Sequence, residues 1–241
     1  MIHLANKKLD EREVERLLET DHPMVARFTF VPLTVTTNQI SFKLVIEPRA
    51  GVKYYQQRDR YGQRIQPVLR TLTGNERIGE AYRRLYVMSG EIYAENQSFF
   101  PNQEFNDLGI GSALYESQER LYDALKVRRV DLYAVSVGVY VWARQGFDFT
   151  HNSTLWSVKN EFARFLKDRD LPLPQHIKRS WDVANHRRDI LVNQDPVGKY
   201  WMLNYALSWE GYKLMEDSLF REVAEKARKE MREKRKERIL G

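Results

Sequence analysis

Apolar positions at Leu9, Val14, Leu17 and Leu18 share one helical face, which predicts a helix over residues 9–19, ended by the TDHP stretch at 20–23. Two apolar, β-branched runs follow, VARFTFVPLTV at 25–35 and QISFKLVIEP at 39–48, and read as an antiparallel pair of strands. Residues 49–75 are polar and basic and read as a long loop or irregular excursion. Strand patterns return at 81–88 and 91–100, with Ser89-Gly90 as the turn between them. Leu114, Leu121 and Leu125 then recur at helical spacing and predict an amphipathic helix over 110–126. A strand at 127–135, a short helix at 138–145 and an extended piece at 146–150 complete a mixed α/β (α+β) domain over residues 1–150.

Beyond residue 150 the pattern changes. Leu155, Val158, Phe162 and Phe165 lie on one face of a helix, LPLP at 171–174 interrupts the chain, and 175–191 and 199–218 read as further helices. Residues 151–241 are thus expected to form a helical extension. Four of the five tryptophans, 156, 181, 201 and 209, fall there and are expected to be buried on the core, on a second subunit or over a ligand pocket. These helices offer a surface for a homodimer.

Composition narrows the function classes. Hydrophobic residues are 42% and charged residues 30%, as in globular proteins. The chain has no cysteine, which excludes disulfides, thiolate metal sites and cysteine nucleophiles and fits a reducing cytoplasm. No window approaches a membrane span and no secretory pattern opens the chain, so a cytoplasmic location is expected. The net charge is +6, but residues 221–241 hold nine Lys or Arg against five Glu, leaving +2 for the rest. Glu222–Lys226, Glu225–Lys229 and Glu230–Lys234 in that segment have the favourable i, i+4 order of an exposed helix, a reading preferred to a polyanion-binding arm.

The densest chemical signal is NDLGIGS, residues 106–112, where Gly109 and Gly111 stand where the strand pattern gives way to the helix. Amides of a first helical turn lack intrahelical partners and, with the helix dipole, form a phosphate site. Glycine lets the main chain approach an anion closely, and Ser112 adds a hydroxyl. The competing reading is a structural turn that needs glycine.

In NDLGIG at 106–111 and YVWARQGFDF at 140–149, about 35 residues later, the chain resembles the GCN5-related N-acetyltransferase family. The first segment resembles that family's Gln/Arg-x-x-Gly-x-Gly/Ala motif, with Asn106 in the first position. The second resembles its aromatic short helix before Gly-Phe. The resemblance covers about residues 25–150. It implies a central, mostly antiparallel sheet flanked by helices, with acetyl-CoA or a longer acyl-CoA as co-substrate and no metal. It further implies that the pyrophosphate lies on Gly109, Ile110, Gly111 and Ser112. Leu108 and Phe100 would lie along the pantetheine, and strand backbone near Phe99 and Phe100 would pair with it.

The implied reaction is direct attack of an amine on the thioester. Glu91 and Glu95, four apart on a strand and so on one face with Tyr93, are the candidate bases, against the reading that both are solvated surface residues. Trp142 stands where the family often has a tyrosine acid, and the family's asparagine is absent around Val135–Val137. Tyr140 is the nearby candidate acid, although two helical positions put it about 200° around. The alternative function is a non-catalytic protein of this fold that contacts protein or nucleic acid through its basic tail.

The five histidines, 3, 22, 151, 176 and 186, have no metal-ligand spacing and read as isolated surface or capping residues. RDRYGQR at 58–64 and the 178–188 segment mix basic and aromatic residues, but nucleic acid is the less favoured partner beside acyl-CoA and an amine acceptor.

Overall fold

The computed structural model describes residues 2–59, 61, 63–174 and 176–240. Arg60 and Gly62 of RDRYGQR, Gln175 and the side chain of Lys234 in the expected Glu230–Lys234 pair lie outside the described residues. The protein is mixed α/β, in two compact units: residues up to Arg128 together with Arg228 onward, and Arg129–Ala227.

In the first unit, β1 (Ile2–Leu4) and β2 (Lys7–Leu9) form a small hairpin. Helix α1 (Glu11–Leu17) follows, started by the Asp10 carboxylate, which accepts the Glu13 amide at 2.8 Å. Strands β3 (Val25–Val35) and β4 (Gln39–Pro48) are the two sequence runs. In β4 the alternation buries Ile40, Phe42, Leu44 and Ile46.

Residues 49–75, read as a loop, instead hold β5 (Lys53–Arg58) and β6 (Arg64–Thr71), paired antiparallel. The strand was hidden because its buried alternates, Tyr54 and Gln56, sit among polar neighbours, and every residue of β6 is exposed. β7 (Gly79–Met88) and β8 (Glu91–Pro101) are joined at Ser89-Gly90, both at positive φ as a type I′ hairpin turn needs. β4 lies between β3 and β7, and β7 pairs onward with β8, all antiparallel. A 3-10 turn (Gln103–Phe105) leads to α2 (Ile110–Leu125). Leu114, Leu121 and Leu125 are fully or almost fully buried on α2, as their spacing predicts.

The second unit takes β9 (Val127–Ala134), α3 (Gly138–Arg144), β10 (Asp148–Phe149), α4 (Asn152–Lys167) and α5 (Ser180–Ala184). A two-residue hairpin, β11 (Leu191–Val192) and β12 (Asp195–Pro196), precedes α6 (Val197–Asn204), β13 (Trp209–Leu214) and α7 (Ser218–Lys236). The helix read over 199–218 is therefore helix then strand. β13 pairs antiparallel with both β9 and β10, and its alternation buries Trp209, Gly211 and Lys213. That pairing also moves the expected division at residue 150: the extension supplies a strand to the sheet that holds β9 and β10, and it is not purely helical.

The helix read over 175–191 shrinks to the five residues of α5. Trp201 and Trp209 are buried within the chain, whereas Trp156 is 69% exposed on it. The last part of the first unit is the end of α7, from Arg228, and β14 (Ile239–Leu240), which pairs with β5. No helix among the described residues is long and apolar enough to cross a membrane.

Candidate functional site

The turn between the 3-10 segment and α2 contains two left-handed residues, Asp107 at φ 65° and Gly109 at φ 81°, so Gly109 has the conformation for which glycine is favoured. Gly109 is the N-cap of α2, and its carbonyl accepts the first helical bond, from Ala113, at 3.1 Å. The amides of Ile110, Gly111 and Ser112 form the first turn, ahead of that first i, i+4 bond.

Three long-range contacts pin this turn. Arg58 Nε donates to the Asp107 carboxylate at 3.0 Å, and Arg238 donates to the Asp107 carbonyl at 3.0 Å. His22, fully buried, meets the Leu108 carbonyl through Nε2 at 3.0 Å, while its Nδ1 accepts the Met24 amide at 3.2 Å. The two bonds fix the tautomer: Nδ1 must be the bare nitrogen and Nε2 carries the proton. Burial pushes the His22 pKa down to about 4, so the ring is neutral at pH 7. His22 is therefore not a surface or capping histidine. No spacing rule marks it in the sequence, because its partner lies 86 residues away.

The end of α7 faces the start of α2. Arg228 pairs with Glu119, and Arg232 with Glu116. Arg235 forms no ion pair with a described carboxylate. A Cβ on Gly109 would come 3.1 Å from Met231 Cγ, and one on Gly111 would come 3.1 Å from the Phe99 ring, so both glycines also answer a close approach. Between Gly109, Ser112 and Glu116 on one side and Arg228, Met231 and Arg235 on the other is a cleft of about 10 Å³, space for about one water. The expected pairs Glu222–Lys226 and Glu225–Lys229 do not form. In place of a wholly solvated helix, α7 buries Phe220, Ala224 and Ala227 at helical spacing and turns arginines onto α2. That apolar spacing was the sequence signal for a packed helix, masked by the surrounding charge.

Of the residues expected in the site, Phe99, Gly109, Gly111 and Ser112 come together at the helix start. Leu108 is fully buried, which corrects its expected place along the pantetheine: it contributes its carbonyl to His22, and its side chain to the core. Ile110 is also buried. Asn106 is half-buried in extended conformation and ends the 3-10 turn. Phe100 is 61% exposed, edge-on to Tyr82 with ring centroids 6.0 Å apart, while Phe99 next to it packs against α2. In the ladder Phe99 and Phe100 stand opposite Ala81 and Glu80.

Glu91, Tyr93 and Glu95 share the half-exposed face of β8, opposite buried Ile92, Ala94 and Asn96. Both carboxylates are held by guanidinium groups, Glu91 by Arg128 and Glu95 by Arg84, and Tyr93 also donates to Glu91 at 3.3 Å. Neither is a simple solvated side chain. Tyr140 belongs to the second unit, half-buried on α3, with the Lys199 ammonium 6.0 Å from its ring centre. Trp142 packs edge-on against Phe147 at 5.1 Å, and the Phe147 amide donates to the Trp142 carbonyl at 3.1 Å. The tryptophan thus anchors the short helix to the Gly-Phe segment. The chain matches no protein-family model, and no curated protein matches it.

Proposed function

We propose that the chain is an acyl-CoA-dependent N-acyltransferase of the GCN5-related kind, moving an acetyl or longer acyl group to an amine of a peptide, protein or small molecule. The observation that carries this reading is the α2 turn: a left-handed Gly109 preceded by Asp107 and Leu108, which His22, Arg58 and Arg238 hold, and leading into the first-turn amides of the helix with Arg235 at the rim. A turn fixed before the ligand arrives binds an anion without a further ordering cost. The pyrophosphate would accept from the amides of Ile110, Gly111 and Ser112, and Arg235 would supply the counter-charge.

In the reaction the amine nitrogen bonds to the thioester carbonyl carbon, the carbon–sulfur bond breaks, and the leaving thiolate takes up a proton. An alkylammonium with a pKa of about 10.4 must first lose a proton. Glu91 or Glu95 would accept it, each having first to loosen its guanidinium partner, and the thiolate would take up the further proton that the nitrogen sheds as the amide forms. Much of the acceleration would come from holding the two reactants together.

A second reading is a non-catalytic binding or assembly protein of the same fold. It is favoured by Met231 filling the space over Gly109 and by Trp142 in the place of the acid. Methionine is flexible and gives way readily. If phosphates take its place, Met231→Ala will tighten acetyl-CoA binding several-fold in calorimetric titration. The assembly reading expects the same variant to lose stability and to bind no coenzyme. Titration of the wild-type protein with acetyl-CoA and longer acyl-CoAs therefore separates the readings, and absence of heat from every one of them rejects the acyltransferase.

A further inference from the structure

The chain's positive charge is concentrated in two segments far apart in sequence. Residues 49–75 carry six Lys or Arg against one Asp, and residues 228–241 carry seven against three Glu, a joint balance of +9 that leaves −3 for all the rest. The fold puts them side by side. β14 pairs with β5, Ile239 opposite Tyr54, the Tyr55 amide donates to the Arg238 carbonyl at 3.0 Å, and Arg238 donates on to the Tyr55 carbonyl.

The result is a three-stranded basic platform, β14-β5-β6, continuous with the end of α7. Lys53 on β5, Arg64 and Arg70 on β6, and Lys229 and Lys236 on α7 are exposed. Tyr61, 66% exposed, stands at the hairpin end.

Charged residues and a proline also guard edge strands against pairing with other chains, and Pro67 on β6 serves that purpose. Arg58, opposite Arg64 in this ladder, is held by the Asp107 carboxylate, so the exposed charge of the two strands is that of Lys53, Arg64 and Arg70. A basic surface with an exposed aromatic beside it is the footprint of a nucleic-acid site.

We propose that this platform binds single-stranded nucleic acid, with the arginines and lysines on the phosphates and Tyr61 stacking on a base. The proposal is independent of the acyltransferase reading, because none of the exposed lysines or arginines named for it lines the coenzyme turn.

The test is fluorescence anisotropy of a labelled mixed-sequence RNA of about 20 nucleotides, titrated at several salt concentrations. The wild-type protein is compared with Lys53→Gln/Arg64→Gln/Arg70→Gln. Because Arg70 also donates to Gln56, a second variant, Lys53→Gln/Lys229→Gln/Lys236→Gln, covers a failure of the first to fold. A control, Arg164→Gln/Lys167→Gln on α4, alters exposed charge elsewhere.

The proposal expects a log–log salt slope smaller by about 2 in the platform variants, at ~0.7 per phosphate contact on single strands, with affinity at least about tenfold weaker. The control should match the wild type. No RNA binding by the wild type at low salt, equal loss in the control, or binding to anionic phospholipid vesicles without binding to RNA would each overturn it.

Discussion

Acidification from pH 6.5 to 4 will cost the protein about 3 kcal/mol of stability through His22 alone, at about 1.4 kcal/mol for each pKa unit between the ordinary value of 6.5 and the folded value of about 4. The folded value is depressed, so between those limits the unfolded chain takes up the proton and the folded chain does not. Stability is complete above the unfolded value and is lost as pH falls through the window. Below pH 4 the penalty is fully developed and grows no further.

The cause is geometric. A proton on Nδ1 would face the Met24 amide hydrogen, on a ring buried away from solvent. Denaturant titration of wild type and His22→Gln across this range checks the claim. The variant is expected to be weaker at pH 7, having lost a fitted pair of bonds, yet flatter with pH. Carboxylates whose pKa is lowered by ion pairs, such as Glu47 and Asp189, contribute equally to both proteins and cancel in the difference. Parallel profiles would remove His22 as the acid-sensitive support of the turn.

Ser112→Asp is expected to weaken acyl-CoA binding about 100-fold or more while leaving the melting temperature equal or slightly higher. Ser112 is the third residue of α2 and lines the cleft. A carboxylate there faces the helix's positive end, which stabilises by about 0.3–1 kcal/mol. The same charge would lie against the pyrophosphate, where like-charge contact costs several kcal/mol, and every 1.4 kcal/mol is about tenfold in affinity. Stability and binding thus move apart, which a packing defect cannot produce. Gly111→Trp, the more obvious block, is a poorer probe, because Phe99 already lies 3.1 Å from where its Cβ would stand.

Periodicity carried most of the secondary structure because burial alternates cleanly in β4, β7 and α2. It failed where the alternation was polar. Tyr54 and Gln56 are buried in β5, yet the neighbouring glutamines and arginines read as loop. It also failed at β13, whose buried Trp209, Gly211 and Lys213 follow a helix without a break in aromatic content. Strand partners are long-range facts, and no local pattern announces that residues 209–214 pair with 129–134.

At the candidate site the glycines were legible, as was the change from strand to helix. Their supports were not. His22, Arg58 and Arg238 reach the turn from three separate segments, and Met231 reaches Gly109 from 122 positions along the chain. The charge of the C-terminal segment was read correctly in amount. Its placement beside β5 became visible once the fold was known.

The central claim is that the pinned turn at α2 holds the pyrophosphate of acyl-CoA. Its most direct test is the melting temperature of the wild-type protein with and without excess acetyl-CoA. A ligand that binds the native state at about 100 times its dissociation constant adds about 2.7 kcal/mol to stability, and a clear upward shift is the predicted result. An unchanged melting temperature at millimolar acetyl-CoA would contradict the claim and leave Gly109 and Gly111 as packing glycines beneath Met231 and against Phe99.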